Sequence, residues 1–474
     1  MLTLAGILQG LTGQTIEDEA PGRIQIHDVV VDSRLATKAS LFVALRGEND
    51  DGHHYVNDAV EHGAYAAIVD TLADDLPSII DTTQRALAPL PEPLSPPFCF
   101  LVEDTLQALQ DIAAHHRRQF DVRVIGVTGS VGKTVTKEAI HSVLSKTYVT
   151  LKSEDSYNNE IGLPLTLLNL EERHERVVLE LGMYALGEIA QLAAIALPHV
   201  GVVTNVAHSH LERLGSVERI AQAKAELLEA LPPDGTAVLN GDDARVRAIA
   251  SKTDAETFYY GLGPDCDLRA TNIESRGLEG VRFRMQYGHE NIYVKIPLLG
   301  RHSVHTGLAA AAVGVEEDQP WGQIAAGLRD IEVQLRLIAT PGIKASTLID
   351  DSYNASPTSS LAALSLLSEL KGRKIAVLGD MLELGSYEDE GHRKVGRRAA
   401  EVVDKLVTVG ERGALIGREA LAVGMPDDDV MFAQDNDQAV RYLLDLVTAG
   451  DLILIKGSRG MHMENIVLEL GDRR

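Results

Sequence analysis

Lys133 and Thr134 close the run Gly126-Val127-Thr128-Gly129-Ser130-Val131-Gly132-Lys133-Thr134. Glycines at such positions let backbone N–H groups turn toward one point. A lysine adds positive charge, and a threonine hydroxyl is a hard oxygen ligand for Mg²⁺. This is chemistry for holding a polyphosphate. The spacing departs from the common phosphate-loop pattern, because Val127 stands where that pattern has its first glycine. Val122, Val124, Ile125 and Val127 form a short β-branched run before the loop, which predicts a buried parallel strand. Val135, Ala139, Ile140, Val143 and Leu144 after it fall on one helical face. Strand, glycine-rich loop and helix follow in that order, and GKT at the helix start sets the run apart from an ordinary βα turn. Thr128, Gly129, Ser130, Val131, Gly132, Lys133 and Thr134 are therefore the candidate cofactor-binding loop.

Other side chains that could share a site sit at predicted strand ends. The strand Val177–Leu181 carries Glu180, a carboxylate well placed for Mg²⁺ beside a phosphate loop. Val200–Val206 ends near His208 and His210, which could ligate a metal or simply pack. Lys224 lies in a helix capped by Ser216, and periodicity alone puts it on a solvated face. Asn158 and Asn159 fall in 156–164, which reads as a loop or plain turn. Ser33 and Arg34 at the end of a strand Ile26–Val31 could hold an anion or cap a turn. Near the C-terminus, strands end at Asp350-Asp351-Ser352-Tyr353-Asn354, at Gly379-Asp380 and at Lys456-Gly457-Ser458-Arg459. Ser356 and Pro357 then start a helix.

A chain of 474 residues exceeds one core, and roughly two to four domains are expected. Alternating β and α elements predict an α/β protein with largely parallel sheets. No apolar run is long enough to span a bilayer, and the N-terminus reads as an amphipathic helix rather than a signal peptide. The two cysteines, Cys99 and Cys266, suit a reducing compartment, so a cytoplasmic protein is expected. A formal charge of −25 argues against nucleic-acid binding. It also requires that any nucleotide site be locally positive.

Several blocks in order resemble the Mur ligases, and within them the branch that adds D-alanyl-D-alanine. They are GVTGSVGKT, YNNEIGLPLTLL at 157–168, ELGM at 180–183, HLE at 210–212 with AKAE at 223–226, DDSYNASP at 350–357, GDMLELG at 379–385 with His392, and KGSRGM at 456–461. The resemblance implies three domains. Residues 1–103 are a small α/β domain for the UDP end of a UDP-N-acetylmuramoyl-tripeptide. Residues 104–332 are a central P-loop-type ATPase domain with a mostly parallel sheet, and 333–474 a Rossmann-like domain for D-alanyl-D-alanine. It implies ATP and two Mg²⁺ sites, with Thr134, Glu180, His210 and a carbamylated Lys224 as metal ligands. Lys133, His210 and Lys224 are then the catalytic residues, while Arg336 and Asp351 hold the nucleotide. Ser33, Asn158, Asn159, Tyr353, Asn354 and Lys456 face the substrates. A monomer is expected. The match is incomplete at the adenine end, where Ser303 and Thr306 stand in place of the usual asparagines, and His208 takes a place often held by proline.

The implied reaction is amide formation through an acyl phosphate. A paralogous ligase with another acid and amine is the alternative within the class. A phosphate-loop switch or kinase is the alternative outside it, and Lys224 with DDSYNASP speaks against that.

Overall fold

The computed structural model describes residues 2–14, 24–47, 50–72, 78–84, 95–154, 157–208, 211–331 and 338–472. His210, Arg336 and most of the proline-rich stretch 88–97 lie outside the described residues. Three main sheets follow one another along the chain. The first has five parallel strands in the order Asp28–Val30, Ser40–Val43, Ala66–Val69, Phe98–Leu101, Ser78–Asp81. Ser40–Val43 and Ala66–Val69 are buried throughout because helices cover both faces. Leu4, Ile7 and Leu8 of the first helix, Leu4–Thr12, pack on one face; Val56 and Ala59 pack on the other. The strand expected over Ile26–Val31 is split. Gln25–Ile26 pairs antiparallel with Leu2–Thr3, and only Asp28–Val30 joins the main sheet.

Helix Thr105–Arg117 bolts this unit to the next. Asp104 caps its start, accepting the Gln107 N–H at 2.9 Å. At its end the buried Arg117 guanidinium donates to the carbonyls of Ala196, Phe120 and Val122 at 3.0–3.1 Å. A guanidinium suits this job because its fork serves several acceptors at once.

The central sheet has nine strands. Their order is Glu290–Ile296, Val281–Tyr287, Leu268–Ser275, Glu256–Gly261, Thr236–Asn240, Val200–Val203, Arg123–Thr128, Arg176–Glu180, Thr150–Lys152. The run from Leu268–Ser275 to Thr150–Lys152 is parallel, and antiparallel hairpins extend the opposite edge. Parallel pairing brings the carboxyl ends of Arg123–Thr128, Arg176–Glu180 and Val200–Val203 to one rim. The alanine-rich helix Ser303–Glu316 packs against Lys133–Leu144 with Leu308 to Val313 wholly buried. The stretch 156–164 is not all loop. Helix Gly162–Leu167 begins inside it, because Asn159 Oδ1 accepts the Gly162 N–H at 2.9 Å and Pro164 lies in the first turn, where it forfeits no helical bond.

The third sheet has six strands, ordered Ile338–Gly342, Ser346–Asp351, Leu452–Lys456, Lys374–Gly379, Lys405–Val409, Val430–Ala433. All neighbours are parallel except the first pair. Helix Pro357–Glu369 starts with a capping box: Ser356 Oγ accepts from Ser359 N, and Ser359 Oγ accepts from Ser356 N. Among the described residues no helix is long and apolar enough to cross a membrane.

Glu317 ties the amino-terminal rim of the central sheet together. Its carboxylate, fully buried, takes Arg123 at 2.9 Å and Arg176 on the other oxygen. Glu317→Ala should lower stability by about 2 kcal/mol, less than for a wholly buried pair because both arginines keep some solvent contact. A denaturant midpoint equal to that of the parent protein would show that the cluster contributes nothing.

Candidate active site

The glycine-rich loop is built as the sequence predicts: strand Arg123–Thr128, loop, helix Lys133–Leu144. Gly132 caps the helix at φ +86°, a conformation that favours glycine. Gly129 has φ +149°, and a Cβ there would stand 1.9 Å from Thr204 Oγ1. The loop owes its shape to Thr204 and Asn205, just past the neighbouring strand. Val131 N donates to Asn205 Oδ1 at 3.0 Å, and Ser130 N to Asn205 O at 3.0 Å. Thr204 Oγ1 and Asn205 Nδ2 both donate to Val131 O at 2.8 Å.

These bonds bear on how the loop would meet a phosphate. Ser130 and Val131 line the cleft, but their N–H groups serve Asn205, so a phosphate would meet Gly132 and the first turn of the helix. Thr128 is fully buried, and its hydroxyl donates to Leu181 O at 2.9 Å, tying two strands. Lys133 Nζ donates to Gly129 O at 3.0 Å. Asn205 is the residue that sequence reasoning missed; its signal was a Thr-Asn pair ending an otherwise apolar strand.

Glu180 ends its strand 1% exposed. Its Oε1 accepts from Asn158 Nδ2 at 2.7 Å, while Oε2 is buried with no hydrogen-bond partner among the described residues. Lys224, expected on a solvated face, is 1% exposed. Its helix, Val217–Glu229, buries Ala223 and Ala225 as well, since small side chains let it be covered on two sides. Glu226 fastens that cover, accepting Gly187 N at 2.7 Å and Ala190 N at 3.1 Å. Burial pushes the Lys224 pKa far down and the Lys133 charge pushes the same way; Glu226 and Glu180 pull weakly against them. Among the described residues, no three histidine, cysteine or acidic side chains gather as a metal cluster. The orphaned Glu180 oxygen, with Thr134 on the same cleft, nevertheless fits a hard cation that takes few protein oxygens and keeps water.

The opposite wall comes from the third sheet. Lys456, 2% exposed, donates to Asp351 Oδ2 at 2.6 Å and Asn354 O at 2.8 Å. Asp351 and Lys456, expected on nucleotide and substrate respectively, are thus one ion pair. Ser458 zips three strand-end loops together: its N–H donates to Asp380 O at 2.9 Å, its Oγ accepts Leu382 N at 2.8 Å and faces Ala355 O at 3.4 Å. His392 fixes the middle loop from behind. Its Nε2 accepts Met381 N at 3.0 Å and its Nδ1–H donates to Glu388 O at 2.7 Å, so it is neutral, and burial holds its pKa below the usual histidine value.

The two walls also touch. His208 stacks on Tyr387 with ring centroids 4.1 Å apart, the packing role open to it from the sequence. Glu212 N donates to Glu383 O at 3.2 Å. Between the walls lies a cleft of about 850 Å³, bordered by Lys133, Thr134, Asn158, Glu180, Tyr353 and Lys456. Ser33 does not border it. Its hydroxyl donates to Asp58 at 2.5 Å, and the capping role considered for it belongs to Asp32, which accepts the Arg34 N–H at 3.0 Å.

The two loop glycines separate sterics from strain. Gly129→Ala should weaken nucleoside triphosphate binding at least tenfold, because Thr204 must move and release Val131. Gly132→Ala meets no atom and carries only left-handed strain of about 1 kcal/mol, near fivefold. Calorimetric titration checks the pair, and equal affinities would remove the staple from the account.

Comparison with known proteins extends the picture to the whole chain. Residues 25–117 match the model described as Mur ligase family, catalytic domain; 127–314 match Mur ligase middle domain; 336–459 match Mur ligase, glutamate ligase domain. The UDP-N-acetylmuramoyl-tripeptide–D-alanyl-D-alanine ligase of Bacillus subtilis is 39% identical over 455 residues, covering 94% of this chain and 93% of that protein. A crystal structure of MurF from Acinetobacter baumannii superposes with TM-score 0.84 at 30% identity, covering 99% of both chains. MurF from Thermotoga maritima, solved with ADP, gives 0.76 at 25% identity over 94% of this chain and 96% of that one. With the same domains in the same order and a relative this similar over nearly its whole length, the chain belongs to the Mur ligase family.

Proposed function

We propose that this chain joins D-alanyl-D-alanine to UDP-N-acetylmuramoyl-tripeptide at the expense of ATP, giving the UDP-muramoyl-pentapeptide precursor of peptidoglycan. The observation that carries it is one cleft bordered on one side by Lys133 and Thr134 of the phosphate loop and on the other by Tyr353 and Lys456. A nucleotide and an amine held on separate walls can meet a carboxylate between them. The relatives named for this reaction support the choice of substrates. Nucleotide substrates and two unpaired, buried cysteines favour the cytoplasm.

A carboxylate resists attack because its leaving group would be oxide. Transfer of the ATP γ-phosphoryl group to a carboxylate oxygen gives an acyl phosphate, whose leaving group is phosphate. Lys133 would offset the charge of that transfer. Mg²⁺, when bound, supplies further charge neutralisation, and Thr134, Glu180, His210 and a modified Lys224 are the residues we assign to hold it. The dipeptide amine then attacks the acyl carbon, a tetrahedral intermediate forms, phosphate departs, and the amine proton is lost. We assign residues 1–103 to the UDP end, 104–332 to ATP and 333–474 to the dipeptide. Arg336 and Asp351 are assigned to the nucleotide, Ser33 to the UDP end, and Asn158, Asn159, Tyr353, Asn354 and Lys456 to the reacting substrates.

The carbamate is supported by the state of Lys224. Only a neutral amine adds CO₂, losing a proton as the N–C bond forms, and burial together with the Lys133 charge pushes the Lys224 pKa well down, toward that form. The product would carry two oxygens and a negative charge beside the metal position. Lys224→Ala should be inactive and partly rescued by short-chain carboxylates; full activity in that variant would exclude a role for the lysine.

The deciding experiment measures phosphate release with ATP, Mg²⁺ and UDP-N-acetylmuramoyl-tripeptide, with and without D-alanyl-D-alanine. Release should depend on the dipeptide, with a pentapeptide product by mass. Turnover with a different acid or amine would point to a paralogous ligase, and turnover indifferent to both substrates to a nucleotide switch.

A further inference from the structure

We propose that Arg459, braced by Tyr353, binds the carboxylate of the incoming dipeptide and so sets which end of it faces the acyl phosphate. This rests on the ligase reading and adds a residue to it. The dipeptide brings one amine and one carboxylate. Its amine must point at the acyl carbon across the cleft, so its carboxylate must point back into the third-sheet wall. That wall needs a cation, in a protein whose formal charge is −25 and whose cleft already carries Glu160, Glu180, Glu188 and Glu383.

Among the described residues, the cations that border the cleft from that wall are Lys456 and Arg459. Lys456 is answered by Asp351 at 2.6 Å and is almost wholly buried. Arg459 has no carboxylate within ion-pair distance among the described residues. Its Nη1 donates to the Tyr353 hydroxyl at 2.7 Å, and its guanidinium carbon lies 4.9 Å from the Tyr353 ring centre. A neutral phenol orients the guanidinium without neutralising it. One donor of five is spent, and the planar fork keeps enough N–H groups for a bidentate carboxylate.

The support beneath Arg459 is rigid. Ser458, the preceding residue, is buried and held to Asp380, Leu382 and Ala355. The first turn of helix Pro357–Glu369 borders the same wall through Thr358 and Ser359, and its N-terminal partial charge has the sign a carboxylate needs. An arginine on a fixed backbone, steered by a tyrosine and left without an acid, is arranged for an anionic group from outside the chain.

The test compares D-alanyl-D-alanine with its C-terminal amide, D-alanyl-D-alaninamide, in the wild-type enzyme and in Arg459→Ala. Wild type should prefer the acid by about 10- to 100-fold in kcat/KM, the span of one charge-assisted pair. Arg459→Ala should lose most of that preference by raising KM for the acid, with KM for ATP within about twofold of wild type. Because the ratio is taken within one enzyme preparation, partial misfolding cannot imitate the result. Arg459→Lys should keep part of the preference, and Tyr353→Phe should reduce it by a smaller factor. An Arg459→Ala enzyme that still discriminates acid from amide as wild type does overturns the assignment. So does a loss that falls on KM for ATP, which would move Arg459 to the nucleotide. Wild-type enzyme that releases no phosphate with either dipeptide sinks the ligase reading itself, and this assignment with it.

Discussion

Burying Lys224 beside Lys133 is unfavourable, and much of the site is arranged around that fact. Removal from water and a second ammonium group nearby both disfavour a charged Lys224. Burial and the Lys133 charge both push the Lys224 pKa down, with Glu180 and Glu226 near enough to act against them. Glu226 is itself committed to the start of helix Glu188–Ala196, so it anchors the cover over Lys224 instead of forming an ion pair with it. Glu180 keeps one oxygen without a donor among the described residues. A buried amine and an under-served carboxylate, both 1% exposed, are unfavourable for a folded core, and perturbed groups of this kind gather where a chain does chemistry.

The two walls of the cleft use different means to the same end. The phosphate loop is shaped from its side by Thr204 and Asn205, which occupy N–H groups and the Val131 carbonyl with bonds near 3 Å. The third-sheet wall is shaped from below, where Ser458 and His392 hold the loops after three strands. In both, polar side chains fix the backbone of residues that border the cleft. Such pre-orientation lowers the entropy lost when reacting groups are brought to within bonding distance.

The strand–loop–helix around Lys133 was legible in the sequence because its periods change sharply, from β-branched run to glycines to helical stripe. Glu180 was legible because a carboxylate ends an apolar strand. The burial of Lys224 was not: its neighbours are alanines, which fit either an exposed helix or one covered on two sides, and the cover comes from a helix some thirty residues earlier. Thr128 looked like part of the loop, yet it is the last residue of a central strand and its hydroxyl has a carbonyl to satisfy across the sheet. The edge strands Ile338–Gly342 and Val430–Ala433 gave little signal, the first because it contains Pro341 and the second because it has only 4 residues. Helix Gly162–Leu167 was hidden because proline and glycine signal a turn unless an upstream asparagine is free to cap.

What joins the halves is the seam between His208 and helix Leu211–Leu214 on one side and the loop Leu382–Tyr387 on the other. Tyr387 packs on the central core as well as on the His208 ring. A Cβ on Gly385 would come within 2.9 Å of Glu212 Cα, so the two backbones are in direct contact there. Glu383 takes a positive φ of +63° while its carbonyl accepts the Glu212 N–H. A residue with a side chain holds that conformation only where its surroundings enforce it. Here they do, from both sides: His392 restrains Met381 on one flank and the central domain restrains Glu383 on the other. Leu382, Glu383 and Leu384 of this loop also border the cleft. The contact that docks the two domains is therefore part of the wall that shields the reacting centre. On the ligase reading, an acyl phosphate gains nothing from being formed in water, so a seam placed here would tie the position of the third-sheet wall to the exclusion of solvent from the cleft.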